Sequence, residues 1–149
     1  MMIPRFGQPP QSGAQYRRRP GAYAVLLREG RVLLTHQAAP TPEFQLPGGG
    51  IDRGEGAIAA LHREVLEETG WTIAGLRRLG AYRRFCYMPD YDLMAEKLCS
   101  VWHARPVSRR GPPSEPGHSA HWCSPDQALS LLPDPGARAL LRRALRGPG

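Results

Sequence analysis

Residues 49–71 read GGIDRGEGAIAALHREVLEETGW, and the spacing of charged and apolar residues here sets the expectations for the whole chain. Gly48, Gly49, Gly50 and Gly54 make a loop through which backbone can come close to an ion or a phosphate. A helix is predicted from Glu55, where a carboxylate suits the positive end of the helix dipole. It should run to Thr69 and close on Gly70 in the left-handed conformation. On that helix Glu64, Glu67 and Glu68 fall at i, i+3 and i+4 and share one face. Ile58, Leu61, Val65 and Thr69 fall on another, ready to pack on a sheet. Three crowded carboxylates repel one another unless a cation lies between them, and hard oxygen donors suit Mg2+ or Mn2+. A solvated acidic face would explain an isolated Glu-x-x-Glu-Glu; the glycine loop and the Arg63-Glu64 pair at fixed distance argue against it.

Written as a pattern, the stretch is G-x5-E-x7-R-E-U-x-E-E-x-G-U, with U a bulky apolar residue, here Val65 and Trp71. It resembles the signature of the Nudix hydrolases at every fixed position. That resemblance implies an α/β protein with the Nudix fold, an α/β/α sandwich in which helices cover both sides of a mixed β-sheet. It also implies a divalent metal, Mg2+ or Mn2+, and cleavage of the diphosphate bond in a nucleoside diphosphate linked to another moiety. Carried over residue by residue, Glu64 and Glu68 become metal ligands. Glu67 becomes a ligand to a second ion or the holder of its water, and the Gly48 carbonyl a further ligand. Gly49, Glu55, Arg63 and Gly70 become structural, with Arg63 pairing to Glu55 or to the glutamates. Family members differ in their general base, which is either a signature glutamate (Glu64 or Glu67 here) or one on a distant loop. Glu115, in the loop before the last expected strand, occupies such a place.

Substrate cues are fewer. Family members that favour diadenosine polyphosphates often carry a tyrosine sixteen to eighteen residues past the signature, and Tyr87 stands at that distance, where it can stack on a base. Members that hydrolyse ADP-ribose often carry a proline in that region, and Pro89 is close by. Tyr87 tilts the expectation toward a dinucleoside polyphosphate over an ADP-ribose-like compound; nucleoside triphosphates are also in range. A 5′-RNA pyrophosphohydrolase is the alternative, motivated by the basic charge, and a non-catalytic nucleotide-sensing module is disfavoured because every signature glutamate is present.

The chain has 149 residues, enough for one domain with a real core. Its formal charge is +7, and of its 20 basic residues only Lys97 is not arginine. Such a surface attracts polyphosphates and nucleic acid alike, so charge by itself does not choose between a small-molecule substrate and RNA. No apolar run approaches a membrane span, so no membrane partner is expected. The opening MMIPRFGQPPQSG lacks the apolar core of a signal peptide. Cys86, Cys99 and Cys123 are odd in number and show no C-x-x-C spacing, against a disulfide framework or a zinc site. A cytoplasmic location is expected, and a homodimer is compatible with all of this.

Residues 1–20, rich in Pro, Gly, Gln and Arg, read as an irregular arm, with Arg17, Arg18 and Arg19 solvated, and residues 21–149 as the domain. Strands are predicted at Ala22–Arg28, Val32–Thr35, Phe44–Leu46, Trp71–Leu76, Leu79–Tyr87, Met94–Arg105 and Ala120–Cys123, with Gly75 and Gly80 marking breaks or bulges. Ser124 or Asp126 can cap a short helix ending near Leu132. Ala137, Leu140, Leu141, Ala144 and Leu145 give a final amphipathic helix with its arginines outside. His62 reads as structural, while His118 and His121 flank Glu115 and can touch substrate.

Overall fold

Apolar residues follow one another without polar alternation over Ala22–Leu27, the pattern of a strand covered on both faces. In the computed structural model, which describes residues 2–147, this run is the middle of β1 (Arg17–Arg28). Ala22, Ala24 and Leu26 face one core; Val25, with Tyr23 and Leu27 beside it, faces the other. The first core is closed by α1 (Ala57–Thr69) through Leu61 and Val65. The second is closed by α2 (Pro125–Leu131) and α3 (Pro135–Leu145) through Ala128, Ala137, Leu140, Leu141 and Ala144. Helices thus sandwich the sheet, as expected.

The sheet is mixed. β2 (Arg31–Gln37) turns back from β1 and carries β3 (Glu43–Gln45) and β7 (His118–Cys123), all antiparallel. β4 (Gly48–Gly50) pairs antiparallel with the first half of β1. β6 (Leu93–Arg109) runs parallel to β1 over ten residue pairs, from Arg17–Ala95 to Leu26–Ala104, and this fixes the centre. β5 (Trp71–Met88) completes the edge, antiparallel to β6. β1 therefore takes β4 early and β2 late, and the sheet opens where its partners change. Among the described residues no helix is long and apolar enough to cross a membrane.

Several boundaries differ from the sequence reading. The signature helix starts at Ala57, two residues after Glu55, with Gly56 as its cap, so Glu55 does not serve the helix dipole. Ile58 is exposed rather than packed on the sheet, and His62 points to solvent. The helical phase is set by Leu61 and Val65, and both residues fall off their stripe. β5 is one strand where two were expected, with register shifts between Trp71 and Ile73, across Gly75 and next to Gly80. The irregular arm ends at Tyr16: Arg17, Arg18 and Arg19 belong to β1 and pair with β6. Pro4–Phe6 also lie against β5, through a bridge between Arg5 and Arg83 and an edge contact of Phe6 on Tyr82.

Candidate functional site

At the opening beside β1, a cleft of about 360 Å³ gathers Gly48, Gly49, Gly50, Glu64, Glu68, Glu115, His118 and Tyr87, together with Tyr23, Arg84, Tyr91 and Lys97. The glycines have a steric reason to be there. A Cβ on Gly49 would stand 2.6 Å from the Glu64 carboxyl carbon, and one on Gly48, whose φ is +144, would strike the Ala22 carbonyl and the Tyr23 backbone. The strand can only pass this close to the helix carboxylates without side chains.

Each carboxylate has a distinct setting. Glu68 is buried; it accepts a hydrogen bond from the Gly48 N–H at 3.1 Å and lies 3.4 Å from His118 Nε2. Its burial, with Glu64 and Glu115 nearby, pushes its pKa up to about 8 despite the Gly48 hydrogen bond. Glu64 is raised in the same way, by burial first and by the charges of Glu67 and Glu115, against the pull of Arg63. Glu67 is held at 3.3 Å by Arg63 and does not line the cleft. Arg63 also reaches Glu64 at 3.1 Å and makes two bonds to Glu55, at 2.8 and 2.9 Å. Those bonds, with one from the Asp52 N–H, hold Glu55 down at about 2. Arg63 thus ties the loop to the helix through Glu55 while touching two of the three helix glutamates.

Glu115 arrives by a different route. The last carbonyls of a helix lack partners within it; the Glu67 carbonyl accepts from the N–H groups of Ser114 and Glu115 at 2.8 and 3.0 Å. The Gly70 carbonyl similarly takes the Arg110 N–H at 2.7 Å. The loop 110–117 is therefore the C-terminal cap of the signature helix, and this brings Glu115 to the cleft. His118, at the start of β7, completes the same wall; His121 lies on the other face of the strand, bonded to Ser119 at 2.8 Å.

A family model described as the NUDIX domain matches residues 17–144. The chain belongs to the Nudix family. Among its relatives is a Bacillus subtilis protein provisionally named an 8-oxo-dGTP diphosphatase, 41% identical over 73 residues, covering 49% of each chain. An RNA pyrophosphohydrolase of Caulobacter vibrioides is 39% identical over 90 residues, covering 58% of this chain and 49% of its own. The chain thus spans about half the length of the curated relatives it matches. A MutT NUDIX hydrolase crystal structure from Burkholderia pseudomallei superposes with a TM-score of 0.67 at 26% identity, covering 86% of this chain and 98% of that one.

Among the described residues of this Nudix domain, no three His, Cys, Asp or Glu side chains are arranged as a ready-made ion site. The donor chemistry nevertheless fits a divalent cation. Glu64 and Glu68, one turn apart, share a cleft with a third carboxylate, and each is disfavoured as an anion by burial and by its neighbours. A hard cation relieves that repulsion. Sequence reasoning missed Tyr23, Arg84 and Lys97 in the same cleft. Strand register, not local pattern, places Lys97 there.

Proposed function

We propose that this Nudix domain is a metal-dependent pyrophosphohydrolase that cleaves the diphosphate bond of a nucleoside diphosphate linked to another moiety. The observation that carries this is the convergence of Glu64, Glu68 and Glu115 in one cleft that Arg84 and Lys97 also line. Glu64 and Glu68 would hold the Mg2+ or Mn2+, with the Gly48 carbonyl as a further donor; Glu67, held by Arg63 outside the cleft, would have to leave Arg63 to join them. When bound, the metal supplies charge neutralisation and Lewis-acid activation to the phosphate chain. Arg63 and Glu55 keep the glycine loop against the helix, so that the two glutamates stay aimed into the cleft. Glu115 takes up the proton of the attacking water, and its loop geometry leaves it free of the Arg63 network. Tyr87 lies at the outer end with its ring steadied by a hydroxyl bond to Asp92 at 2.6 Å, and there it offers a face to a nucleobase. Three free thiols fit a reducing compartment such as the cytoplasm.

The similarity to an RNA pyrophosphohydrolase, with the +7 charge, favours 5′-triphosphorylated RNA as the second reading. Turnover with Mg2+ on ADP-ribose, diadenosine tetraphosphate, nucleoside triphosphates and triphosphorylated RNA separates the two. A small-molecule enzyme turns over the nucleotides with little dependence on salt. An RNA enzyme prefers the RNA, and its affinity falls steeply as salt rises. Turnover of none of these would remove the proposed activity.

Glu115→Gln is expected to lower turnover about a hundredfold or more, the usual contribution of a positioned base, and to leave Mg2+ affinity within about twofold. The check is a pH–rate profile beside a metal titration. If the acidic limb of the profile is unchanged, the base lies elsewhere, first at Glu64 or Glu67.

A further inference from the structure

A row of three cations crosses the sheet in the cleft. Arg19 on β1 is in register with Lys97 on β6, and Lys97 is opposite Arg84 on β5. Residues in register leave the sheet on the same face. This face also carries Tyr23 and, beyond it, the core under α3. Two strand spacings separate the outer pair, about 10 Å. Like charges directly opposite one another destabilise a sheet, and Lys97 has an arginine on each side.

The reverse face gives the contrast. There Glu96, the residue before Lys97, takes Arg18 at 3.1 Å and Arg83 at 4.0 Å, so both arginines have a carboxylate partner. On the cleft face only Arg84 has carboxylates near it, Glu43 at 3.8 Å and Asp134 at 3.7 Å. Arg19 lies over the Tyr91 ring, 5.1 Å from its centroid. Among the described residues, neither Arg19 nor Lys97 has a carboxylate within 4.0 Å. Lys97 borders the cleft that holds Glu64, Glu68 and Glu115, and Arg19, Lys97 and Glu64 border the hollow of about 240 Å³ that adjoins it. Arg19 and Lys97, without carboxylate partners of their own, thus border the same connected space as the helix glutamates.

We infer that Lys97, flanked by Arg19 and Arg84, binds a substrate phosphate beyond the pair addressed by the glutamates, so that the site selects chains of three or more phosphates over a lone diphosphate. This rests on the pyrophosphohydrolase reading. A diphosphate flanked by two sugars places both its phosphates at the carboxylate side and leaves no anion for the row. A nucleoside triphosphate, a dinucleoside polyphosphate or a triphosphorylated RNA end brings at least one more. Lysine suits the role as a compact point charge on a flexible stem, able to follow a phosphate along the chain.

The test is calorimetric binding of inorganic tripolyphosphate and of pyrophosphate, with Mg2+ at fixed ionic strength, to wild type, Lys97→Gln and Lys97→Arg. Wild type is expected to bind tripolyphosphate at least about tenfold more tightly than pyrophosphate, the equivalent of one charge-assisted hydrogen bond. Lys97→Gln should lose about tenfold for tripolyphosphate and narrow that preference, and Lys97→Arg should keep most of both. Equal tripolyphosphate affinity in wild type and Lys97→Gln, absence of the chain-length preference, or no binding at all would each overturn the inference. The readout does not depend on turnover. If the binding pattern holds while no nucleotide is hydrolysed, the phosphate subsite stands and the enzymatic reading fails.

Discussion

Glu64→Gln and Glu68→Gln are each expected to lower Mg2+-dependent turnover about a thousandfold or more while leaving the fold intact. Glutamine keeps the length and shape of each side chain, and at position 68 it keeps an oxygen for the Gly48 N–H. What it removes is the charge that would hold the cation. Stabilisation of transition-state charge by a bound metal is worth several kcal/mol, and about 4 kcal/mol corresponds to three decades in rate. Stability should move the other way. Burial and the neighbouring carboxylates disfavour the Glu68 charge, so removing an ionisable group there should hold or raise the melting temperature. Turnover at saturating Mg2+ and a thermal melt of the metal-free proteins check both halves. Wild-type turnover in both variants would remove the metal site; a large fall in melting temperature would make these glutamates structural.

Gly70→Ala is expected to cost about 2–4 kcal/mol of stability, among the larger effects for so small a change. Two causes combine. Gly70 closes the signature helix at φ +78, where a Cβ costs about 1 kcal/mol or more. The added methyl would also run into the Gly111 carbonyl, which is backbone and cannot swing aside. Relief requires the loop 110–117 to shift, and that loop carries Glu115 and hands its N–H groups to the Glu67 carbonyl. Activity should therefore fall further than stability alone explains. Urea unfolding and turnover well below the unfolding midpoint check the pair. A loss below about 0.5 kcal/mol, the usual range for a surface change, would mean that the helix end and the loop are not coupled.

The parts of the fold that were legible in the sequence are those encoded locally. The period of Leu61 and Val65, the stop at Gly70, and the stripe from Ala137 to Leu145 all depend on near neighbours, and these helices lie where they were read. Errors arose where a residue answers to a distant partner. Glu55 was placed in the helix by its charge, but Arg63 holds it in the loop. Ile58 matched an apolar period that the sheet does not reach. Arg19 looked like part of a solvated arm because nothing nearby shows that β6 will run parallel to β1. The candidate site divides along the same line. Glu64 and Glu68 follow from helical spacing on a glycine loop. Glu115 could be placed in a suitable loop but not brought to the cleft, since its position depends on capping the Glu67 carbonyl. Tyr23, Arg84 and Lys97 are united only by the register of β1, β6 and β5, which the local sequence does not encode.

Chromatographic product analysis with and without Mg2+ tests the central claim most directly. Diadenosine tetraphosphate, ADP-ribose and a nucleoside triphosphate are each incubated with the protein, beside AMP as a simple monoester. Metal-dependent release of a nucleoside monophosphate from at least one phosphate-chain substrate, with AMP untouched, is the predicted result. A metal held by Glu64 and Glu68 would address two phosphates at once, and a monoester would forfeit half of those contacts. Rapid hydrolysis of AMP with every phosphate-chain compound left intact would contradict it.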